Sequence, residues 1–173
     1  MKNLIRQKVH SHFAQWMEMQ IIQSQVEVQV WLSMIEHWVQ AEKNENAAQV
    51  ALKVAHAFLK RGHSQLAISS LKQVLNLLND DGSWLIWREA QLLLIRLMEK
   101  ESQVHELETA YHHLLQRSWV LNDVDLVQHI GHRLAEFYKK QGFQNQARWI
   151  TDLLIHLPQR DQHPLDFNLS KLP

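Results

Sequence analysis

The chain has 173 residues, with 18 basic side chains, 18 acidic side chains and no cysteine. A chain of this length can form one compact domain or a short repeat array, and it buries enough surface to need no disulfides. The zero formal charge argues against a nucleic-acid binder that works through bulk positive charge, and the lack of cysteine excludes disulfides, zinc–thiolate sites, iron–sulfur clusters and thiol catalysis.

The composition favours helices over a turn-rich β fold, because the chain has only 4 Gly and 3 Pro and is rich in Leu, Gln, Val and Ala. The N-terminal residues contain no apolar core of signal-peptide length, and no apolar run is long enough to cross a bilayer. We therefore expect a cytoplasmic protein with no membrane span.

Residues 1–43 are predicted to be helical, because apolar residues recur there at intervals of three and four. The apolar positions are Leu4, Ile5, Val9, Phe13, Trp16, Met17 and Ile21, then Trp31, Met34, Ile35, Trp38 and Val39. No Gly or Pro separates the two groups, so the sequence fits either one long helix or a helical hairpin that breaks near Gln23 and Ser24. We expect this segment to be an atypical cap of the fold or a self-association surface.

A repeat with a period of about 40 residues runs through positions 46–158. Gly62 and Gly142 lie at equivalent points two periods apart, and each follows an aromatic residue by four positions and precedes an alanine by five. Halving the interval between the two glycines places a middle unit around Ser102. The register does not extend convincingly into residues 1–43, where it would put His10, Gln15 and Glu18 on core positions.

Each repeating unit is predicted to be a pair of helices. The first helices carry a shared apolar stripe, at Val50, Val54, Ala55 and Phe58, at Ala90, Leu94, Ile95 and Met98, and at Ile130, Leu134, Ala135 and Tyr138. The second helices carry another, at Ala67, Leu71, Val74 and Leu75, at Leu107, Tyr111, Leu114 and Leu115, and at Ala147, Thr151, Leu154 and Ile155. Spacings of four, one and three positions place each group on one helix face.

Small and turn-forming residues lie where this arrangement needs them. Ala67 and Ala147 suit a close crossing of two helices, and Gly62 and Gly142 suit the left-handed residue that ends a helix. Turn clusters at 79–82 and 122–123 precede the later helices. Their predicted caps are Asp81 or Ser83, and Asp123 or Asp125. The last helix ends at 157–158, and residues 159–173 are predicted to be an extended tail.

This order of a small residue, an aromatic residue, Gly and then Ala resembles the tetratricopeptide repeat. The resemblance covers residues 46–158, and LAEFYKKQGFQNQARWI matches best, with its signature residues at Leu134, Ala135, Tyr138, Gly142 and Ala147. The common repeat has about 34 residues, so the longer period here, about 40 residues, is more similar to the helix pairs of MalT-type bacterial activators. The resemblance implies an all-α fold in which antiparallel helix pairs stack as a right-handed α-solenoid, with residues 1–43 as an N-terminal helical cap.

Arrays of this kind present their first helices on a concave surface that binds a peptide. The resemblance therefore implies a peptide-binding face made of the positions off the apolar stripe: Gln49, Leu52, His56, Lys60, Glu89, Leu92, Arg96, Glu99, Lys100, His129, His132, Glu136, Lys139 and Lys140. The basic residues among them would favour an acidic peptide or a terminal carboxylate. The alternative is an ordinary solvated helix face.

Histidine and tryptophan are both unusually frequent, with 12 and 7 copies. Packing of neighbouring helices would bring His112 and His113 near His129 and His132, and a zinc site is one interpretation of that group. The favoured interpretation is that these are ordinary surface histidines. We therefore expect no cofactor or metal. Trp16, Trp31 and Trp38 lie in the segment without the repeat and are candidates for a homodimer contact, with packing of the cap as the alternative.

No P-loop, glycine-rich nucleotide turn, nucleophile elbow or short basic recognition helix is present, so we expect neither an enzyme nor a direct nucleic-acid reader. Two functions remain. The chain is an adaptor or chaperone that binds a protein or peptide, or it is a ligand- or peptide-sensing domain that regulates a transcription factor or kinase.

Overall fold

A computed structural model describes residues 2–21, 28–78, 82–101 and 104–156 of the chain. Within these residues the fold is all-α, as the composition predicts, and contains no strand. The helices are α1 (Lys2–Ile21), α2 (Val28–Gln40), α3 (Asn44–Lys60), α4 (Ser64–Leu78), α5 (Trp84–Glu101), α6 (Val104–Val120), α7 (Val124–Gln141) and α8 (Gln144–Ile155). None of the described helices is both long and apolar enough to cross a membrane.

The chain divides into two compact units, Met1–Leu97 and Met98–Pro173, with the boundary inside α5. In the first unit, α1 packs on α2, α2 on α3, and α3 on α4. In the second unit, α6 packs on α7 and α7 on α8. Residues 1–43 therefore contain two helices that contact each other, and the break expected near Gln23 and Ser24 lies outside the described residues.

One turn geometry recurs between the helices. After α3, the N–H of Gly62 donates to the carbonyl of Leu59, and the next N–H, of His63, donates to Phe58 at 2.9 Å. The turns at Glu42, Asn122 and Gly142 repeat both hydrogen bonds, and each of these residues has a positive φ. This is the Schellman motif, which satisfies carbonyls left over at a helix end. The left-handed conformation predicted for Gly62 and Gly142 is confirmed, with φ of 77° and 84°.

These turns recur at intervals of half the predicted period. Glu42 and Gly62 lie half a period apart, and so do Asn122 and Gly142. The residue five positions after each of these turns is buried: Ala47, Ala67, Val127 and Ala147. One helix and its turn thus take half of the sequence period, and the period seen in the sequence is two such steps.

The predicted first-helix stripe forms the core, since each of its members in α3, α5 and α7 is buried. The second-helix stripe is buried as well, except that Leu75 and Thr151 are half-buried and Ile155 is exposed. The expectation for Ile155 is therefore wrong, because no helix follows α8 in the described part of the chain to cover that side.

Buried positions of α2 match buried positions of α3. Met34, Ile35 and Trp38 in α2 are buried, and each lies half a period before a buried residue of α3. Ala14 and Met17 are the buried residues among the α1 side chains that the structure describes. Of the positions that the 40-residue register would place in the core of residues 1–43, His10 is half-buried and Gln15 is exposed, and the side chain of Glu18 lies outside the described part of the chain.

A side-chain cap begins α7. The carboxylate of Asp123 accepts a hydrogen bond from the N–H of Leu126 at 3.3 Å, which satisfies one of the free donors in the first turn. Of the two caps predicted here, Asp123 is the one used, while Asp125 lies inside the first turn of α7. Before α5, Ser83 lies at the start, and Asp81 is outside the described residues.

Candidate functional site

The polar positions predicted for peptide binding all lie on the surface of α3, α5 and α7. Those exposed are Gln49, His56, Lys60, Glu89, Arg96, Glu99, Lys100, His129, His132, Glu136, Lys139 and Lys140. The two leucines of the set differ, because Leu52 is buried and Leu92 is half-buried. Placing Leu52 on the binding face is therefore wrong, since α3 packs on both α2 and α4 and has a wide buried side.

In the first unit, two of the predicted residues meet. Nε2 of His56 on α3 lies 3.2 Å from a carboxylate oxygen of Glu89 on α5. Both side chains are well exposed, so the pair adds little stability. It does show that α3 and α5 approach each other closely enough for their outward side chains to touch.

In the second unit, the face of α7 borders a cleft of about 390 Å³. The α7 residues that line it are Arg133, Glu136, Phe137, Lys140 and Gln141. These positions are spaced by three and four and so share one side of the helix. Two of them, Glu136 and Lys140, belong to the predicted binding face.

The opposite wall of this cleft comes from α6 and from the end of α5. Val104, Leu107 and Tyr111 project from one face of α6, and Glu99 projects from α5. Leu107, Tyr111 and Phe137 are buried and form an apolar floor, whereas Glu99, Glu136 and Lys140 are exposed at the rim. An apolar floor with a few polar groups at its edge is the usual composition of a binding pocket.

A cluster of three side chains holds the cleft in shape. The buried hydroxyl of Tyr111 donates a hydrogen bond to one oxygen of the Glu99 carboxylate, and Nη2 of Arg133 donates to the other at 2.5 Å. The guanidinium of Arg133 also lies 5.8 Å from the centre of the Tyr111 ring, within the range of a cation–π interaction. Arg133 is therefore held in one orientation, which fixes α7 against the residues that face it.

The phenol of Tyr111 stays protonated in this cluster. Burial raises the pKa of Tyr111 well above its ordinary value, and the hydrogen bond to Glu99 adds to the effect. Arg133 acts in the opposite direction but does not reverse it. The hydroxyl therefore serves as a hydrogen-bond donor to Glu99, which makes it a structural group of the cleft.

A second polar network joins α6 and α7. The Tyr138 hydroxyl donates to the Glu108 carboxylate at 2.9 Å, and its oxygen lies 2.6 Å from Nε2 of His112. Because that hydroxyl proton is directed at Glu108, His112 must donate, so Nε2 carries its proton. Burial lowers the pKa of His112, with Glu108 opposing the shift and His113 adding to it.

The four histidines considered as metal ligands do not form one cluster. His112 is engaged by Tyr138, while His113, His129 and His132 are exposed. Across the residues that the structure describes, no group of three or more His, Asp or Glu side chains could hold a metal ion. The zinc interpretation therefore has no geometric basis in these residues.

The three tryptophans proposed for self-association occupy three different environments. Trp38 belongs to the core and is 2% exposed, Trp31 is half-buried, and Trp16 is 52% exposed on α1. Of the three, Trp16 is the one whose ring is largely available to a partner.

Sequence reasoning missed the residues that form the floor and the fixed wall of the cleft. The role of Tyr111 and Phe137 in the cleft was not predicted, because aromatic residues at helical spacing indicate core positions. Both residues are indeed buried, and they also form the floor of the cleft. Arg133 lies between two stripe positions and carries no motif. A useful signal was the set of α7 residues from Arg133 to Gln141, in which charged and aromatic residues share one face.

The chain matches no protein-family model, no curated protein and no solved structure. Its function must therefore be argued from its own residues.

Proposed function

We propose that this chain is a non-enzymatic protein-binding adaptor or chaperone of the tetratricopeptide type, acting in the cytoplasm. In this proposal its helix pairs stack antiparallel as a right-handed α-solenoid, and the cleft between α6 and α7 receives a segment of the partner. The register of the core supports the repeat type, because helices of equal step length with equivalent buried positions are the basis of such stacks.

The observation that carries the proposal is the composition of the cleft. Leu107, Tyr111 and Phe137 supply an apolar floor, and Arg133 is fixed in place by Glu99. A site that is already ordered loses little conformational entropy on binding. An apolar side chain of a partner can fill the floor while its neighbours form hydrogen bonds at the rim.

The charges at the rim indicate the kind of segment that fits. The Arg133 charge is largely balanced by Glu99, so Lys140 with its neighbour Lys139 supplies the accessible positive charge at the end of α7. The partial negative charge of a helix C-terminus favours cations there but does not cancel them. We therefore propose a segment with an apolar side chain followed by an acidic group or a terminal carboxylate.

The test is affinity capture followed by mass spectrometry, with variants chosen by their position in the repeat. Val104→Asp combined with Lys140→Glu changes the cleft wall and its accessible charge. Lys60→Glu is the matched control, because Lys60 ends α3 as Lys140 nearly ends α7 and lies two periods earlier. Both variants should keep the parent's helicity, which circular dichroism checks.

We expect the parent and Lys60→Glu to capture the same partner, and the cleft variant to lose it by about tenfold or more. Capture should weaken as salt is raised, because exposed charges are screened over about 8 Å at physiological ionic strength. Equal capture by all three proteins would contradict the cleft as the site. Equal loss in Lys60→Glu would assign binding to the first-helix faces of both units.

A further inference from the structure

We propose that the outward face of α1 docks the protein on a bilayer surface that contains anionic lipids. This face carries Ile5, Val9, Phe13 and Trp16, whose side chains are about half exposed or more. The intervals of four, four and three positions place them along one side of the helix. Contiguous exposed apolar surface on a single chain marks an interaction site.

The apolar residues on this face are not part of the core of the first unit. Among the α1 residues whose burial is described, Ala14 and Met17 are buried, on the side where α1 packs on α2. Ile5 precedes Ala14 by about two and a half helical turns and so lies on the opposite side of the helix. The sequence therefore places Ile5, Val9 and Trp16 outward, while Phe13, at the edge of this face, also contacts the His37 ring of α2.

The charge of α1 indicates an anionic occupant. Lys2, Arg6 and Lys8 are its basic residues, and no Asp or Glu occurs before Glu18. Lys8 lies beside the apolar residues, and Arg6, also exposed, reaches Gln40 of α2 at 3.4 Å. Pairing this face with the same face of a second copy would bring like charges together, which opposes self-association here.

The shape of the surface favours a lipid over a peptide. A shallow depression on it is lined by residues of α1 alone: Ile5, Lys8, Val9, His12, Phe13 and Trp16. A peptide groove is ordinarily walled by two elements, whereas a helix that lies in the membrane interface needs only a strip on one helix. From Ile5 to Trp16 the strip extends about 17 Å along the axis.

The residue types on the strip match such an interfacial helix. Trp16 has an indole N–H at the edge of a large apolar ring, and such side chains prefer the headgroup level of a bilayer, while the wholly apolar ring of Phe13 adds buried area. The long side chain of Lys8 can extend its ammonium group to lipid phosphates while its methylenes stay near Ile5, which lines the same depression. Anionic lipids attract such basic residues within a Debye length of the surface.

The test is co-sedimentation of the full chain with vesicles of phosphatidylcholine, alone or with about a third phosphatidylserine. We expect binding to the phosphatidylserine vesicles, weaker binding to the neutral ones, and release by salt. Val9→Asp should reduce binding about tenfold or more, because it puts a charge in the middle of the apolar strip. Lys8→Glu should remove the preference for phosphatidylserine.

A matched control uses the same substitution at another exposed valine. Val120 is 74% exposed against 62% for Val9, and it lies at the end of α6. Val120→Asp should bind vesicles as the parent does, and circular dichroism should show equal helicity in all variants. If Val9→Asp and Val120→Asp bind alike, or the parent shows no preference for phosphatidylserine, the proposal is wrong.

Sedimentation of the protein without lipid tests the other possible occupant of this face, a second copy of the chain. A parent dimer that Val9→Asp converts to a monomer would assign the face to a second copy of the chain and overturn the lipid proposal. A parent that stays monomeric at high micromolar concentration and binds the anionic vesicles supports it.

Discussion

The last helix pair, α7 and α8, and the first, α1 and α2, are held together by different kinds of contact. Gly131 of α7 lies against Leu154 of α8 so closely that a Cβ there would be 2.6 Å from a methyl carbon of Leu154. Between α1 and α2 the contacts include rings and polar atoms instead, with Nδ1 of His10 2.8 Å from Nδ1 of His37 and Phe13 beside the His37 ring. The difference shows that two helix pairs of one chain can be joined in different ways, by close packing of apolar side chains in one pair and by contacts that include polar rings in the other.

The largest expected effect on stability comes from truncating a buried leucine of α7, and an exposed isoleucine of α1 serves as the comparison. Leu134 is 0% exposed, so Leu134→Ala should lower the free energy of unfolding by about 2–5 kcal/mol through lost burial and a cavity. Ile5→Ala should change it by no more than about 0.5 kcal/mol. Urea unfolding measures both, and equal midpoints for the two variants would refute the contrast.

A second prediction concerns the close crossing at the start of α8. Ala147 is fully buried, and Ala147→Leu should overpack its surroundings and destabilise the protein by roughly 1–3 kcal/mol. The control is Arg148→Leu, which introduces leucine one position later, on the exposed side of α8. Its free energy of unfolding should stay within about 0.5 kcal/mol of the parent's. An unchanged urea midpoint for Ala147→Leu would remove Ala147 from the crossing.

A third prediction compares two turns with the same hydrogen bonds but different residues. Gly142 has a φ of 84° after α7, while Glu42 has a φ of 56° after α2. Gly142→Ala should destabilise by about 1 kcal/mol, because alanine is strained at positive φ, and Glu42→Gly should stabilise by roughly 0.5–1 kcal/mol. Thermal unfolding measures both, and shifts of the same sign would contradict the shared turn geometry.

The smallest effect we expect is a loss of stability at mildly acidic pH. Burial lowers the pKa of His112 in the second unit, and it also lowers the pKa of His37 in the first, where His10 adds to the shift and Glu36 opposes it. The unfolded chain therefore takes up these protons first, so stability is lost as the pH falls below about 6.5, the ordinary histidine value.

The measurement is the melting temperature between about pH 7.5 and pH 5.5, a range above the ordinary pKa values of carboxylates. The parent should melt at a lower temperature at the acid end. His112→Gln should reduce this dependence by removing the second unit's contribution, and His37→Gln should do so for the first. A melting temperature that is independent of pH in the parent would show that neither histidine is coupled to folding.

The core of the repeat region was predictable because burial follows local periodicity. Positions such as Ile130, Leu134 and Tyr138 are apolar at helical spacing, and a helix can bury only one side against its neighbours. The left-handed turns at Gly62 and Gly142 were predictable for an equally local reason, since glycine adopts positive φ without steric strain. The same rule hid the turn at Glu42, and at Asn122 it hid the left-handed conformation of a turn that the sequence does predict.

The candidate cleft was only partly predictable. Glu136 and Lys140 were expected on a binding face because they lie off the apolar stripe of α7. The orientation of Arg133 and the hydroxyl bond from Tyr111 depend on Glu99, which approaches them from another helix. Contacts between residues so far apart in the chain leave no periodic signal.

The sequence by itself determined that the chain is helical, which side of α3, α5 and α7 is buried, and where two of the glycine turns fall. Each of these depends on residues within one or two helical turns of each other. Only the tertiary structure decided that Trp38 is core while Trp16 is exposed, and that one end of α7 borders a cleft. Those outcomes depend on which neighbouring helix covers a given face, because an apolar side chain has the same spacing whether or not something packs on it.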